Sequence, residues 1–385
     1  MSPRAATAVV FLVHGTVVGS WLAQIPYVQN ELQMSQATVG IVLLSLTAGS
    51  LGALVAGGQL VSRLGSLRPT RAASIAFCLL LPVPLLAPSV AALMASLALF
   101  GIAAGLMDVS MNAHAVAVER ALGRPVLSSL HAMFSLGGLV GAGATALSAT
   151  AGAPPRAHVA LTAAMMLALA LVAVRSLGPG EPAAARRGIG LLARPSRAAL
   201  ALGGLSLLVL LAEGAMEGWT GLYLDDELGT ATSTAALGYA GFALGMTVGR
   251  LAGDRLAARF GAVALLCSGT ALAAVSLLGA LLVGHPAVAV AGFAAVGLGV
   301  ANAFPLFVSL AGRGSGATGP SVSAVAGLGY LGFLVGPPLI GFVAEGLGLP
   351  VALALVAGGL AAVAIAAAPV TRPIEAAAPP GAAAG

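Results

Sequence analysis

Lysine is absent from this 385-residue chain, and charged residues of every kind make up only 8% of it. A soluble domain carries about 25% charged residues, so this chain cannot cover a water-facing surface. A soluble enzyme and a disordered protein are both excluded. Without Lys there is no Walker sequence GxxxxGK[ST], so the chain cannot hydrolyse ATP in that way. Cysteine occurs twice, at Cys78 and Cys267, each inside an apolar run and neither in a metal-binding spacing. That rules out a disulfide scaffold and leaves two small buried hydrophobes. No HExxH and no G-x-S-x-G is found, so neither an enzyme nor a bound cofactor or metal is expected. Nucleic acid is not an expected partner either, because the 17 basic residues, all Arg, are scattered between apolar runs.

What is abundant is apolar: 59% of the residues are hydrophobic, with 53 Gly and 22 Pro, both tolerated in membrane helices. A spanning helix needs about 20 mostly apolar residues. Cutting the chain at its Arg, Pro and acidic clusters gives twelve such segments: 5–28, 36–60, 69–87, 90–118, 128–149, 156–176, 198–223, 234–253, 262–284, 286–310, 320–343 and 349–369. The first is too long for the apolar core of a signal peptide and reads as a retained helix. The expected fold is all-α and integral to the membrane, a twelve-helix chain in two six-helix, pseudo-symmetric halves. Residues 1–177 form the first half and 198–371 the second. A Gly-, Pro- and Arg-rich central loop, 178–197, joins them, and a disordered tail, 372–385, follows.

Basic residues in short loops mark the cytoplasmic side. With the N-terminus inside, sixteen of the seventeen Arg fall there and only Arg156 falls outside. The outer loops carry Glu31, Asp225, Asp226, Glu227 and Glu345. The reading is a multi-pass protein of the cytoplasmic (inner) membrane with both termini inside, in contact with lipid and monomeric. The three consecutive acids at 225–227 are expected to be solvated and without a part in coupling.

The halves repeat one another. A shift of 196 lays Tyr27, Glu31 and Leu32 on Tyr223, Glu227 and Leu228, and Gly49, Gly57, Arg63 and Gly65 on Gly245, Gly253, Arg259 and Gly261. A shift of 195 aligns Ser135–Gly141 with Tyr330–Gly336. The segment between the second and third helices, with Gly58, Leu60, Arg63 and Gly65, resembles the G-x-L-x-D-R-x-G loop of major facilitator transporters, with Ser62 in place of Asp. The second half repeats it as Gly249, Arg250, Gly253, Asp254 and Arg255. The resemblance covers the whole chain in plan and implies a secondary transporter whose site lies between the halves. It also implies a gating role for Arg63, Asp254 and Arg255.

A charge at a helix centre costs roughly 2.5–3.5 kcal/mol on insertion scales, so buried acids are functional pointers. Asp108, Glu213 and Glu217 qualify as proton-coupling residues. Positions 101, 105, 108 and 112 share one face of the fourth helix, where Asp108 and Asn112 present polar groups to the interior. That spacing resembles the Glu-x-x-x-Asn of fucose-permease-like symporters, implying that Asp108 takes the proton and Asn112 the solute. Glu213 and Glu217 are i,i+4 neighbours, about 6 Å apart along the axis, which suits a pair that shares a proton. Thr220 continues their face.

His14, His131, Trp21, Trp219, Asn302 and Tyr330 complete the substrate-binding candidates, and Gly336-Pro337-Pro338 is expected to break the eleventh helix. The function expected is alternating-access transport of a small polar solute coupled to protons, with symport ahead of efflux antiport and of a non-transporting sensor.

Overall fold

The computed structural model describes residues 1–123, 126–180, 196–313 and 318–376, and these are helical throughout apart from short connections. Twelve helices follow the chain: α1 (Pro3–Glu31), α2 (Gln36–Leu64), α3 (Leu67–Leu86), α4 (Val90–Leu122), α5 (Leu127–Thr150) and α6 (Pro155–Arg175). Then come α7 (Arg197–Glu227), α8 (Thr232–Phe260), α9 (Ala262–Val283), α10 (Pro286–Val300 with Ala303–Arg313), α11 (Thr318–Leu347) and α12 (Leu349–Ala376). Among the described residues, eleven of these contain stretches long and apolar enough to cross a membrane. The remaining one, α8, is equally long but carries Arg250, Asp254, Arg255 and Arg259 in its second part. Side chains such as Leu147, Leu282 and Ile365 are exposed on the outside of the bundle, the surface that lipid would cover.

Serine starts several helices. Ser2, Ser35, Ser89 and Ser196 each accept from the backbone N–H three residues on, satisfying a donor that the first turn leaves free. At α5 the same work is done from a distance, since the Glu119 carboxylate accepts from the N–H of Val126 and Leu127. α2 and α8 end at Gly65 and Gly261, both at positive φ (74° and 84°), where a side chain would be strained. The turn glycine of each loop motif is therefore its last glycine, and Gly58 lies inside α2.

Helices α1–α6 pack mainly among themselves, as do α7–α12, and the repeat seen in the sequence is repeated in the contacts. A Cβ on Gly49 would strike the carbonyl of Ala98, and a Cβ on Gly245 that of Ala294, both 196 residues on. Gly101 lies against Leu46 as Gly297 lies against Phe242, again at 196. Gly137 meets the Leu12 carbonyl and Gly332 the Leu207 carbonyl, at 195. Small residues let membrane helices approach backbone to backbone, and the same seams are built twice.

The two groups meet along α5 against α8 and α2 against α11. At the end of the bundle that carries the acidic loops they are tied by side chains. Gln29 and Asn30 of α1 donate to Asp226 (3.1 Å) and Asp225 (2.8 Å) of α7. Gln36 also donates to Asp226, and the Ala37 N–H of α2 donates to Glu345 of α11 at 3.1 Å. A π-helical turn over Tyr223–Glu227 ends α7 and carries these acids.

Four expectations are corrected. Asp225 and Asp226 are not simply solvated, because amide side chains nearly 200 residues away reach them. α11 is not broken at Gly336: it stays helical through Pro337 and Pro338, and Gly40 and Gly341 let α2 approach it there. α8 continues to Phe260, so Asp254 and Arg255 stand on a helix and not in a loop. At the far end α12 runs to Ala376, past the Thr371 at which the sequence places its end. Most of the expected central loop, 181–195, and the end of the tail, 377–385, lie outside the described residues.

Candidate functional site

Between the groups, about midway along α7 and α8, lies a narrow, partly open cavity with about 10 Å³ of free space. Phe134 and Ser135 of α5 line it from one side, Glu213 and Glu217 of α7 and Tyr239, Phe242, Met246 and Arg250 of α8 from the other. Arg250 organises the polar part. Its guanidinium donates to Ser135 Oγ at 2.8 Å and to Glu213 Oε1 at 3.3 Å. Both members of that ion pair are largely buried, with side chains 20% and 13% exposed. Glu217, one turn on from Glu213, faces the same cavity and has no hydrogen bond to any described residue. The Tyr239 hydroxyl lies against Gly138 of α5, closing the wall across the two groups.

Ser135 and Tyr239 were not among the site candidates read from the sequence, and Arg250 figured there only in the second loop motif. Arg250 had been counted with the cytoplasmic arginines. Yet it stands ten residues before Phe260, about 15 Å up the helix at 1.5 Å per residue, which is far inside a spanning segment. That arithmetic would have found it.

Asp108 is half-buried on α4, and its carboxylate accepts from Asn112 Nδ2 at 3.1 Å, while the same amide donates to the Asp108 carbonyl at 2.9 Å. Asp108 and Glu213 both lie within electrostatic range of Tyr330. Tyr330 also packs on Phe304, with ring centroids 5.9 Å apart. His131 is within range of Arg250 and packs edge-on to Phe11, with ring centroids 5.3 Å apart. The remaining candidates are spread through the helix packing. His14 is buried edge-on to Phe77 and Phe134, its Nδ1 unpartnered. Trp21 and Trp219 are buried, not at a water-facing edge, and each indole N–H lacks a partner among the described residues. Thr220 is buried and donates to the Met216 carbonyl.

Asn302 donates to the Gly249 carbonyl at 2.9 Å, stitching α10 to α8 beside the second loop motif. Arg63 and Arg255 are exposed near the ends of α2 and α8. The Asp254 side chain lies outside the described residues.

A helical membrane protein with an ionic cluster held between two repeated six-helix groups is built as a transporter. The chain belongs to the Major Facilitator Superfamily, whose family model matches residues 7–316. It is 34% identical to an uncharacterised MFS-type transporter of Yersinia pestis, over 97% of both chains. It is also 34% identical to the membrane protein MosC of Rhizobium meliloti, covering 90% of this chain and 85% of that one. An uncharacterised transporter of Sinorhizobium fredii is 32% identical, over 90% and 92% of the two chains.

Among solved structures, the nucleoside transporter NupG superposes with a TM-score of 0.73 at 14% identity, covering 97% of this chain and all of that one. A bacterial homologue of the lysosomal transporter Spinster, captured inward-facing and occupied, gives 0.66 at 13% identity, covering 97% and 96%. At such identities these likenesses establish the fold. The protein is a multi-pass membrane transporter of the MFS type.

Proposed function

We propose that the protein moves a small polar solute across the cytoplasmic membrane by alternating access, driven by protons taken up at the Glu213–Glu217–Arg250 cluster. The observation that carries this reading is the double engagement of Arg250, with Glu213 in its own half and Ser135 in the other. A proton on Glu213 removes the charge that holds the guanidinium. The tie to Ser135 then loosens, and occupancy of an acid is converted into freedom of one half to rock against the other. The acidic end is the outer end on the arginine bias, so the ties from Asp225, Asp226 and Glu345 to α1 and α2 close the outer side and leave an inward-facing arrangement.

Symport is the coupling that the resemblance of Asp108 and Asn112 to the fucose-permease-like pattern implies, and in that pattern Asp108, not the α7 cluster, would carry the proton. Exchange of solute for protons is the second reading. One observation favours it: Asp108 has a partner in Asn112, whereas Glu217 has none among the described residues.

The test is accumulation of radiolabelled polar metabolites in proteoliposomes under an imposed pH gradient. Accumulation should be abolished by a protonophore and by Glu213→Gln, which should still permit exchange between equal pools. If Glu213→Gln concentrates solute and Asp108→Asn does not, the coupling site moves to α4. Accumulation that ignores the gradient overturns proton coupling altogether.

A further inference from the structure

Charge in the cavity does not balance. Two carboxylates, Glu213 and Glu217, face one guanidinium, and Arg250 spends its described hydrogen bonds on Glu213 and on Ser135. The other titratable group on the wall is Tyr239 of α8, with His131 of α5 within range of Arg250 and Tyr330 of α11 within range of Glu213. None of these supplies a second fixed cation. An ionised carboxylate away from water is costly unless it is paired. A proton or a visiting cation must therefore neutralise Glu217.

The surrounding walls narrow the visitor. Phe134, Tyr239 and Phe242 present aromatic faces or edges to the same space. Cations are attracted to aromatic faces, the more so when water is excluded. An anionic solute would meet one engaged arginine and two acids, and a neutral one would leave Glu217 to be satisfied by other means. The free space between these walls is only about 10 Å³, room for roughly one water, so a small solute enters only as the halves part.

We propose that Glu217 and the aromatic walls of this cavity bind the protonated amino group of a small organic amine, so that the amine and a proton are alternative occupants of one carboxylate. The inference rests on reading this cavity as the transport site, and it adds the chemical class of the solute. Because the two cations exclude each other, each amine that binds displaces a proton. In a two-sided cycle the coupling is then exchange.

Matched probes test it. Purified full-length protein in detergent is titrated with phenethylamine against 2-phenylethanol, cyclohexylamine against cyclohexanol, and glucosamine against glucose, all brought to the same pH. Thermal unfolding reports binding, and an indicator dye in weak buffer reports protons released. At least one amine should raise the unfolding midpoint and release protons while its hydroxyl partner does neither. Glu217→Gln should weaken that amine about tenfold or more and abolish the proton release, a factor of ten being 1.4 kcal/mol. Glu217→Asp, which keeps the charge, should retain both responses if Glu217→Gln proves unstable.

The proposal is overturned if alcohols bind as well as amines, if amine binding survives Glu217→Gln, or if no amine has an effect at tens of millimolar. Any of these alongside intact gradient-driven accumulation faults the solute class alone. Amine binding without gradient-driven accumulation faults proton coupling instead.

Discussion

Arg250 on α8 donates to Ser135 on α5 across the plane that divides the two halves, at 2.8 Å, while its other terminal nitrogen holds Glu213. A single side chain thus spans the surface along which the halves must separate. Removing the guanidinium strands a buried acid. Arg250→Gln should cost up to about 3–5 kcal/mol, the penalty for breaking a buried pair from one side. Adding Glu213→Gln to the same protein should recover most of that loss, whereas Ser135→Ala should cost little. Thermal unfolding of these variants, of Glu213→Gln alone and of the unaltered protein, five in all, checks the pattern; an additive double mutant would mean that the two groups do not act as a pair.

The acidic end offers a second test. Asp226 accepts from both Gln29 and Gln36, and Asp225 from Asn30, while Glu227 makes no hydrogen bond among the described residues. Hydrogen bonds to charged groups contribute about 1.5–3 kcal/mol when well sheltered, and less at an exposed site such as this one. Asp225→Ala with Asp226→Ala should raise several-fold the labelling of a cysteine placed at Val28 by a membrane-impermeant maleimide. Glu227→Ala should leave labelling unchanged. Equal labelling in all three backgrounds would show that the ties do not hold that end closed.

Backbone seams can be probed by the smallest possible change. Gly49→Ala and Gly245→Ala each drive a methyl group into a neighbouring carbonyl, whereas Gly58→Ala and Gly143→Ala meet open space. Overpacking typically costs about 1–3 kcal/mol. The first two should each lower the unfolding midpoint clearly, and by similar amounts, since they occupy equivalent seams. The second two should be neutral or slightly stabilising, because Ala favours helix over Gly. A neutral Gly245→Ala would argue against the tight approach of α8 to α10.

Orientation is testable without knowing the solute. A reporter active only in the periplasm, fused after Gly385, should stay silent, as should one inserted within residues 181–195. Strong activity at either place would invert the assignment of the acidic end to the outside.

The helices were legible because each is a long apolar run cut by Arg, Pro or acidic residues, and this pattern needs no tertiary information. The repeat was legible too: Gly49 with Gly245, matched at an offset of 196, and Gly137 with Gly332, at 195, touch equivalent carbonyls in the two halves. The polar centre was half legible. Glu213 and Glu217 stood out as acids in an apolar run, but Arg250 was absorbed into a count that treats every arginine as a loop residue. The partners of Asp225 and Asp226 could not be read locally, because the amides that reach them lie 190–197 residues away. The Pro337–Pro338 pair misled for a related reason. Proline weakens a helix in isolation, yet a membrane helix packed against a glycine of its neighbour can keep its course.

The paired glycine seams have a consequence for watching the protein at work. Where two helices touch through their backbones there is no side chain left to adjust, and the pair cannot slide by small rotamer changes. The α2–α4 and α8–α10 pairs are therefore built-in rulers of fixed length. Spin labels placed across either seam should report one narrow distance in every condition. Labels that straddle α5 and α8 should split into two populations as soon as the protein cycles, with the rulers supplying the internal calibration.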